Sequence, residues 1–111
     1  MRLPENVIIS QDKLFRYLLL PREENDKSTF LAAAGYTLVN WEVLQRDLQQ
    51  LAQRHEISDI EASPYGMKYE IRGTLRGPNG SMLYVVTIWI TLEATGETRF
   101  VTVFPDREGH R

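Results

Sequence analysis

The chain has 111 residues, no cysteine and a formal charge of -2, with 42% hydrophobic and 25% charged side chains. That length and composition describe one ordinary globular domain, expected to span 1–111, with an ordered core over about 7–105 and a charged tail over 106–111. They exclude a disulfide framework, a thiolate metal site and a thiol nucleophile.

Charge is spread evenly. Residues 1–56 hold seven Lys/Arg against eight Asp/Glu, and residues 57–111 hold six against seven. Nonspecific nucleic-acid binders carry a visible basic excess, so any nucleic-acid contact here must come from a local cluster. No apolar run approaches the ~20 residues that cross a bilayer. The opening Met1-Arg2-Leu3-Pro4-Glu5-Asn6 lacks the apolar stretch of a signal peptide. No membrane partner and a cytoplasmic location are therefore expected.

In chain order, Ser10 is placed to cap a helix over Gln11–Leu20, with Leu14, Tyr17 and Leu18 at helical spacing, and Pro21 ends it. Pro21–Asn25 reads as a polar connection. Asp26 or Ser28 can cap a second short helix running through Ala34, and Gly35 sits where a left-handed C-terminal residue belongs. Asn40 opens a third helix, Trp41 to about Arg54. Its stripe Trp41, Leu44, Leu48, Leu51, Ala52 recurs at helical intervals opposite Glu42, Gln45, Arg46, Gln49, Gln50 and Gln53.

Alternation then replaces helical periodicity. Ile57–Ala62 is a strand candidate and Ser63-Pro64-Tyr65-Gly66 a turn. Met67–Leu75 and Met82–Leu92 are strands joined through Gly77-Pro78-Asn79-Gly80, and Thr98–Phe104 follows the turn Ala94-Thr95-Gly96-Glu97. The expected fold class is α+β, with about three N-terminal helices packed on one face of a four-stranded antiparallel meander.

A side-chain period of two sorts each strand into two sets. Met67, Tyr69, Ile71, Gly73 and Leu75 form the apolar set of one strand, opposite Lys68, Glu70, Arg72, Thr74 and Arg76. The next strand divides into Met82, Tyr84, Val86, Ile88, Ile90 and Leu92 against Leu83, Val85, Thr87, Trp89 and Thr91. Grouping the basic set with Thr87, Trp89 and Thr91, and with Thr102 from the last strand, gives an open face of cations around an aromatic platform. That is a physically sensible surface for single-stranded RNA. The same pattern also describes a solvated sheet face whose charges are neutralised by Glu70.

Other groups carry less. Lys27 opens the second helix, either as a phosphate-stabilising cation or as an exposed helix lysine. His55 continues the apolar stripe at a helix C-terminus, a structural role favoured by the helix dipole. His110 lies in the tail, and Glu23/Glu24 and Asp59/Glu61 read as surface charge. Two distant histidines without cysteine give no ligand spacing, so no metal and no cofactor are expected.

Lys27-Ser28-Thr29-Phe30-Leu31, Gly35-Tyr36 and Asn40-Trp41-Glu42-Val43-Leu44 resemble the first half of a small bacterial domain of unknown function, number 6883. The second half agrees in Tyr65-Gly66-Met67-Lys68-Tyr69, Gly77-Pro78-Asn79-Gly80, Trp89 and the ending Arg99-Phe100-Val101-Thr102-Val103-Phe104-Pro105. The resemblance spans about residues 7–105. More distantly, the layout is similar to the barnase/EndoU/colicin E5/RelE ribonuclease-toxin superfamily, whose members cleave RNA without metal through the 2′-hydroxyl. That resemblance implies Lys27, Arg72 and Thr102 as catalytic residues, while the open face read from alternation supplies Lys68, Arg76, Thr87 and Trp89 as the substrate-binding set. It departs from the superfamily pattern in its mild acidity and in the absence of a sheet histidine.

The expected function is thus a toxin-like RNA-binding or metal-independent RNA-cleaving domain of a bacterial conflict (toxin–antitoxin) system. The alternative is a non-catalytic interaction module, an antitoxin or immunity partner of a small protein. A homodimer through the open face, with Trp89 buried by a second copy, is a third reading.

Overall fold

The computed structural model describes residues 1–21 and 27–107. The Asp26 cap, Glu23/Glu24, His110 and most of the Pro21–Asn25 connection lie outside the described residues. The order is a π-helix (Lys13–Leu19), α1 (Ser28–Ala32), α2 (Trp41–Arg54), then β1 (Asp59–Ser63), β2 (Gly66–Arg76), β3 (Met82–Leu92) and β4 (Thr98–Pro105). The chain is α+β, and its strands form one antiparallel sheet in the order β1-β2-β3-β4, a meander.

The first helix is wider than its sequence suggests. The Leu20 N–H donates to the Phe15 carbonyl at 3.1 Å, five residues back, and in this turn Leu14, Leu18 and Leu19 are all buried. α2 follows its amphipathic pattern, burying Leu44, Leu48, Leu51 and Ala52. Asn40 does stand at its N-cap, but its side chain turns backward. Its Oδ1 accepts from the Thr37 N–H at 2.8 Å and its Nδ2 donates to the Gly35 carbonyl at 2.9 Å, tying down the loop that leaves α1.

The core gathers these helical residues with Ile71, Leu75, Leu83, Val85, Trp89, Phe100 and Val103 from one face of the sheet. Register explains that set, because residues directly opposed across a ladder share a face. Tyr69 pairs with Trp89, Ile71 with Thr87, Gly73 with Val85 and Leu75 with Leu83. The basic set of β2 instead meets Val86, Ile88 and Ile90: Lys68 opposes Ile90, Glu70 opposes Ile88 and Arg72 opposes Val86.

The expected grouping of Thr87 and Trp89 with Arg72 is therefore corrected. Both are fully buried on the inner face. Alternation defines two sets in each strand, but only the hairpin register decides which set meets which. The Trp89 indole N–H donates to Thr87 Oγ1 at 2.8 Å, and that hydroxyl donates to the Ile71 carbonyl at 2.9 Å, so the buried polar pair is satisfied. Phe100 packs edge-on against Trp89, with centroids 5.3 Å apart. The single chain buries Trp89 itself, which removes the observation on which the homodimer reading stood.

A bulge sets the faces of β4. Trp89 pairs with Phe100 and Ile88 with Thr102, leaving Val101 as the extra residue in β4. Arg99, Thr102 and Phe104 are thereby brought onto the outer face, opposite Ile90, Ile88 and Val86, although Arg99 and Thr102 are an odd number of residues apart. The N-terminal segment covers part of the β4 edge: the Ile8 N–H donates to the Thr98 carbonyl, and the Phe100 N–H donates to the Ile8 carbonyl.

Candidate functional site

The outer face has an apolar centre, Val86, Ile88 and Ile90 of β3, framed by Lys68, Glu70 and Arg72 on β2 and by Arg99, Thr102 and Phe104 on β4. Lys27, immediately before α1, reaches the rim of this face. Its ammonium donates to Thr102 Oγ1 and lies 6.0 Å from the centroid of the Phe104 ring. The layering is thus less simple than helices confined to one side. A residue preceding α1 touches the side of the sheet that faces away from Trp89.

Partial burial pushes the Lys27 ammonium below its ordinary pKa of 10.5, and the nearby Lys13 pushes in the same direction. Desolvation and like-charge repulsion both penalise the cation, and a bound anion would relieve both. Lys13 itself lies 5.4 Å from the Tyr17 ring centroid. Lys27 and Thr102, 75 positions apart in sequence, therefore form a cationic, hydroxyl-bearing corner at the β4 edge.

Arg72 looks out from the same face two strands away, opposite Val86, which in turn opposes Phe104. It is held by two carboxylates: Nη1 lies 2.7 Å from Asp106 Oδ1, and Nε lies 3.3 Å from Glu70 Oε2. The hydrogen bond to the buried Asp106 does most to raise its pKa above the ordinary guanidinium value. A cavity of about 290 Å³ lies here, between Arg72, Val86, Phe104 and Asp106. Asp106 is a functional neighbour that sequence reasoning assigned to a charged tail. Its N–H continues the ladder to the Tyr84 carbonyl, and a carboxylate directly after an aromatic-rich strand was the available signal.

Of the remaining expected residues, Lys68 is exposed on the outer face and opposes Glu61 of β1, while Arg76 is exposed at the far end of β2. Thr87 and Trp89 belong to the core. The structure thus joins Lys27 to Thr102, keeps Arg72 on the same side in an ion-paired state, and separates Thr87 and Trp89 from all three.

The chain matches the family described as Domain of unknown function (DUF6883) over residues 2–107, and it belongs to that family. Its fold is similar to that of a chain in a contact-dependent growth inhibition toxin–immunity protein complex from Klebsiella pneumoniae 342. The TM-score is 0.69 at 17% identity, over 88% of this chain and 98% of that one. No curated protein matches. Among the described residues, no helix is long and apolar enough to cross a membrane.

Proposed function

We propose that this domain is a component of a bacterial conflict system, acting as a toxin that binds RNA and cleaves it without a metal at the Lys27–Thr102 corner. The observation that carries the reading is the Lys27–Thr102 contact, a desolvated cation and a hydroxyl brought together at a sheet edge. The fold shared with a chain of a toxin–immunity complex supports the conflict-system setting. In this reading the helices together cover the inner face, the outer face takes the RNA, and the partners are RNA and a small immunity protein in the cytoplasm.

In such cleavage the 2′-oxygen attacks phosphorus and the bond to the 5′-oxygen breaks, leaving a 2′,3′-cyclic phosphate. The 2′-hydroxyl gives up a proton, and the departing 5′-oxygen gains one. Lys27 stabilises the charge that builds on the phosphoryl oxygens, and Thr102 donates a hydrogen bond to one of them. Arg72 orders the neighbouring surface; its two carboxylates spend most of its charge locally.

Labelled RNA incubated with the protein in EDTA tests this. Wild-type cleavage should fall about a hundredfold in Lys27→Ala and substantially in Thr102→Val. No cleavage, or equal cleavage by both variants, sinks the proposal. Arg72→Ala is a poorer probe, because it removes a partner of the buried Asp106 carboxylate and reports on folding as well.

The pH profile carries a further expectation. A lowered pKa means that Lys27 loses its charge as pH rises through a value below 10.5. RNA binding should therefore weaken in that range and persist in Lys27→Arg, whose guanidinium stays charged. Identical alkaline limbs in the two proteins would remove Lys27 from the site.

A second reading, a non-catalytic module that binds a small protein, is favoured by the ion-paired state of Arg72 and the formal charge of -2. It predicts no cleavage under any of these conditions.

A further inference from the structure

A second cavity lies away from the β4 edge, between the last turns of α2 and the end of β2. Its volume is about 290 Å³, near the lower bound of small-ligand pockets. Gln50, Arg54 and His55 line it from α2 and its C-terminus, Arg76 and Met82 line it from the β2–β3 end, and Asp47 lies within it.

Three features separate this cavity from an ordinary surface dimple. The first is how His55 is seated. Its Nδ1 lies 3.1 Å from the Leu51 carbonyl oxygen, which only accepts, so Nδ1 carries the proton and Nε2 is left for another partner. The ring occupies the space of an absent side chain. A Cβ built on Gly73 would lie 3.0 Å from Cε1 and 3.2 Å from each ring nitrogen. Position 73 lies on the inner face between Ile71 and Leu75, where an apolar side chain would otherwise stand; glycine there makes room for an imidazole.

The second feature is charge. Among the described residues neither Arg54 nor Arg76 has a carboxylate partner, and both are exposed at the cavity mouth. The carboxylate in the cavity is engaged elsewhere: Asp47 Oδ2 accepts from the Tyr36 hydroxyl at 2.7 Å, and Oδ1 lies 3.5 Å from Arg46 Nε. The third concerns the C-terminal end of α2, whose carbonyl dipoles disfavour an anion. The Leu51 carbonyl, near that end, is covered twice over by His55, through its backbone N–H at 3.2 Å and through Nδ1.

We propose that this cavity is a phosphate-binding site, with Arg54 and Arg76 gripping the anion and His55 Nε2 completing its coordination. Guanidinium forks match phosphate oxygens in pairs. Nε2 donates to a phosphate oxygen from the protonated ring, or accepts from the hydroxyl of a phosphate monoester when the ring is neutral. The site goes beyond the Lys27–Thr102 reading and stands independently of it. Free phosphate and a nucleotide carry the hydroxyl from which a neutral ring can accept, whereas an RNA diester offers only its anionic oxygens to the two arginines.

The test follows the imidazole C–H signals of His55, assigned with His55→Gln, as inorganic phosphate, a nucleoside 5′-monophosphate or a dinucleoside phosphodiester is added at constant ionic strength. At least one probe should give a saturable shift, and the tightest of the three identifies the source of the phosphate. Arg54→Gln and Arg76→Gln, both at exposed positions, should each weaken it about tenfold. Gly73→Ala should press the ring aside by a few tenths of an ångström and weaken the shift. Lys27→Ala should leave it intact, so failure here and failure of the cleavage proposal are distinguishable. The site is overturned if no probe saturates, or if the two arginine variants titrate like the wild type.

Discussion

Trp89→Ala should cost about 3–5 kcal/mol, the range for removing a fully buried aromatic side chain. Trp89 is completely buried and packs edge-on against Phe100. The substitution also removes the indole N–H that Thr87 accepts at 2.8 Å, leaving a buried hydroxyl with one fewer partner. Against a total stability of roughly 5–15 kcal/mol for a domain, that loss takes the protein near its unfolding threshold. Trp89→Phe keeps most of the packing and gives up the hydrogen bond, so about 1–2 kcal/mol is expected. Urea titration of the three proteins measures the order. A Trp89→Ala protein with a wild-type midpoint but no RNA binding would return Trp89 to the surface role that its sequence context suggested. Fluorescence gives an independent check in Trp41→Phe, where Trp89 is the remaining indole. RNA should leave its emission unchanged.

The meander and α2 were legible because each rests on one local signal repeated many times. β2 alternates, β3 is a long run of strand-favouring residues, turn residues punctuate the hairpins, and the apolar stripe of α2 runs from Trp41 to Ala52. Which side of β3 faced the helices was not legible. Its two sets, Val86/Ile88/Ile90 and Val85/Thr87/Trp89, are similarly apolar, and the difference lies in register with β2. A hydroxyl within an apolar set resembles a surface position until its partners, the Trp89 N–H and the Ile71 carbonyl, are in place. In β4 the bulge at Val101 breaks the alternation on which any face assignment depends.

The candidate sites show the same division. Lys27 and Thr102 were named through a resemblance, since nothing local in either segment points to the other across 75 positions. Asp106 was hidden by its place next to a charged tail, although its backbone prolongs the sheet. His55 follows the α2 stripe in sequence but takes an extended backbone at the helix C-cap, and its relation to Gly73 depends on how that helix crosses β2. A glycine in the middle of a core-facing set is a legible anomaly; what fills its space is a tertiary fact.

Gly77→Ala is expected to be strongly destabilising for the addition of a single methyl group. A Cβ at position 77 would lie 1.9 Å from the Ala34 carbonyl oxygen and 2.4 Å from the Ala34 Cβ, both fixed parts of a buried residue. No rotamer relieves such an overlap, so the hairpin must withdraw from the end of α1. Withdrawal breaks the two bonds by which Asn79 satisfies that helix end, N–H to the Ala34 carbonyl at 3.2 Å and Nδ2 to the Ala33 carbonyl at 3.0 Å. Overpacking of about 1–3 kcal/mol and two lost bonds of about 1 kcal/mol each place the cost near 3–5 kcal/mol. Gly80→Ala, in the same turn, is the control. Its positive φ of 90° penalises a side chain, but nothing lies within 4 Å of the added carbon, so about 1 kcal/mol is expected. Equal denaturation midpoints for the two variants would overturn this account of the hairpin. The consequence reaches the β4 corner as well. α1 has five residues, too few to hold its shape alone, so its docking on this hairpin helps to set where Lys27 points. Below its melting temperature, Gly77→Ala should therefore lose RNA cleavage in excess of its unfolded fraction, whereas Gly80→Ala should retain it.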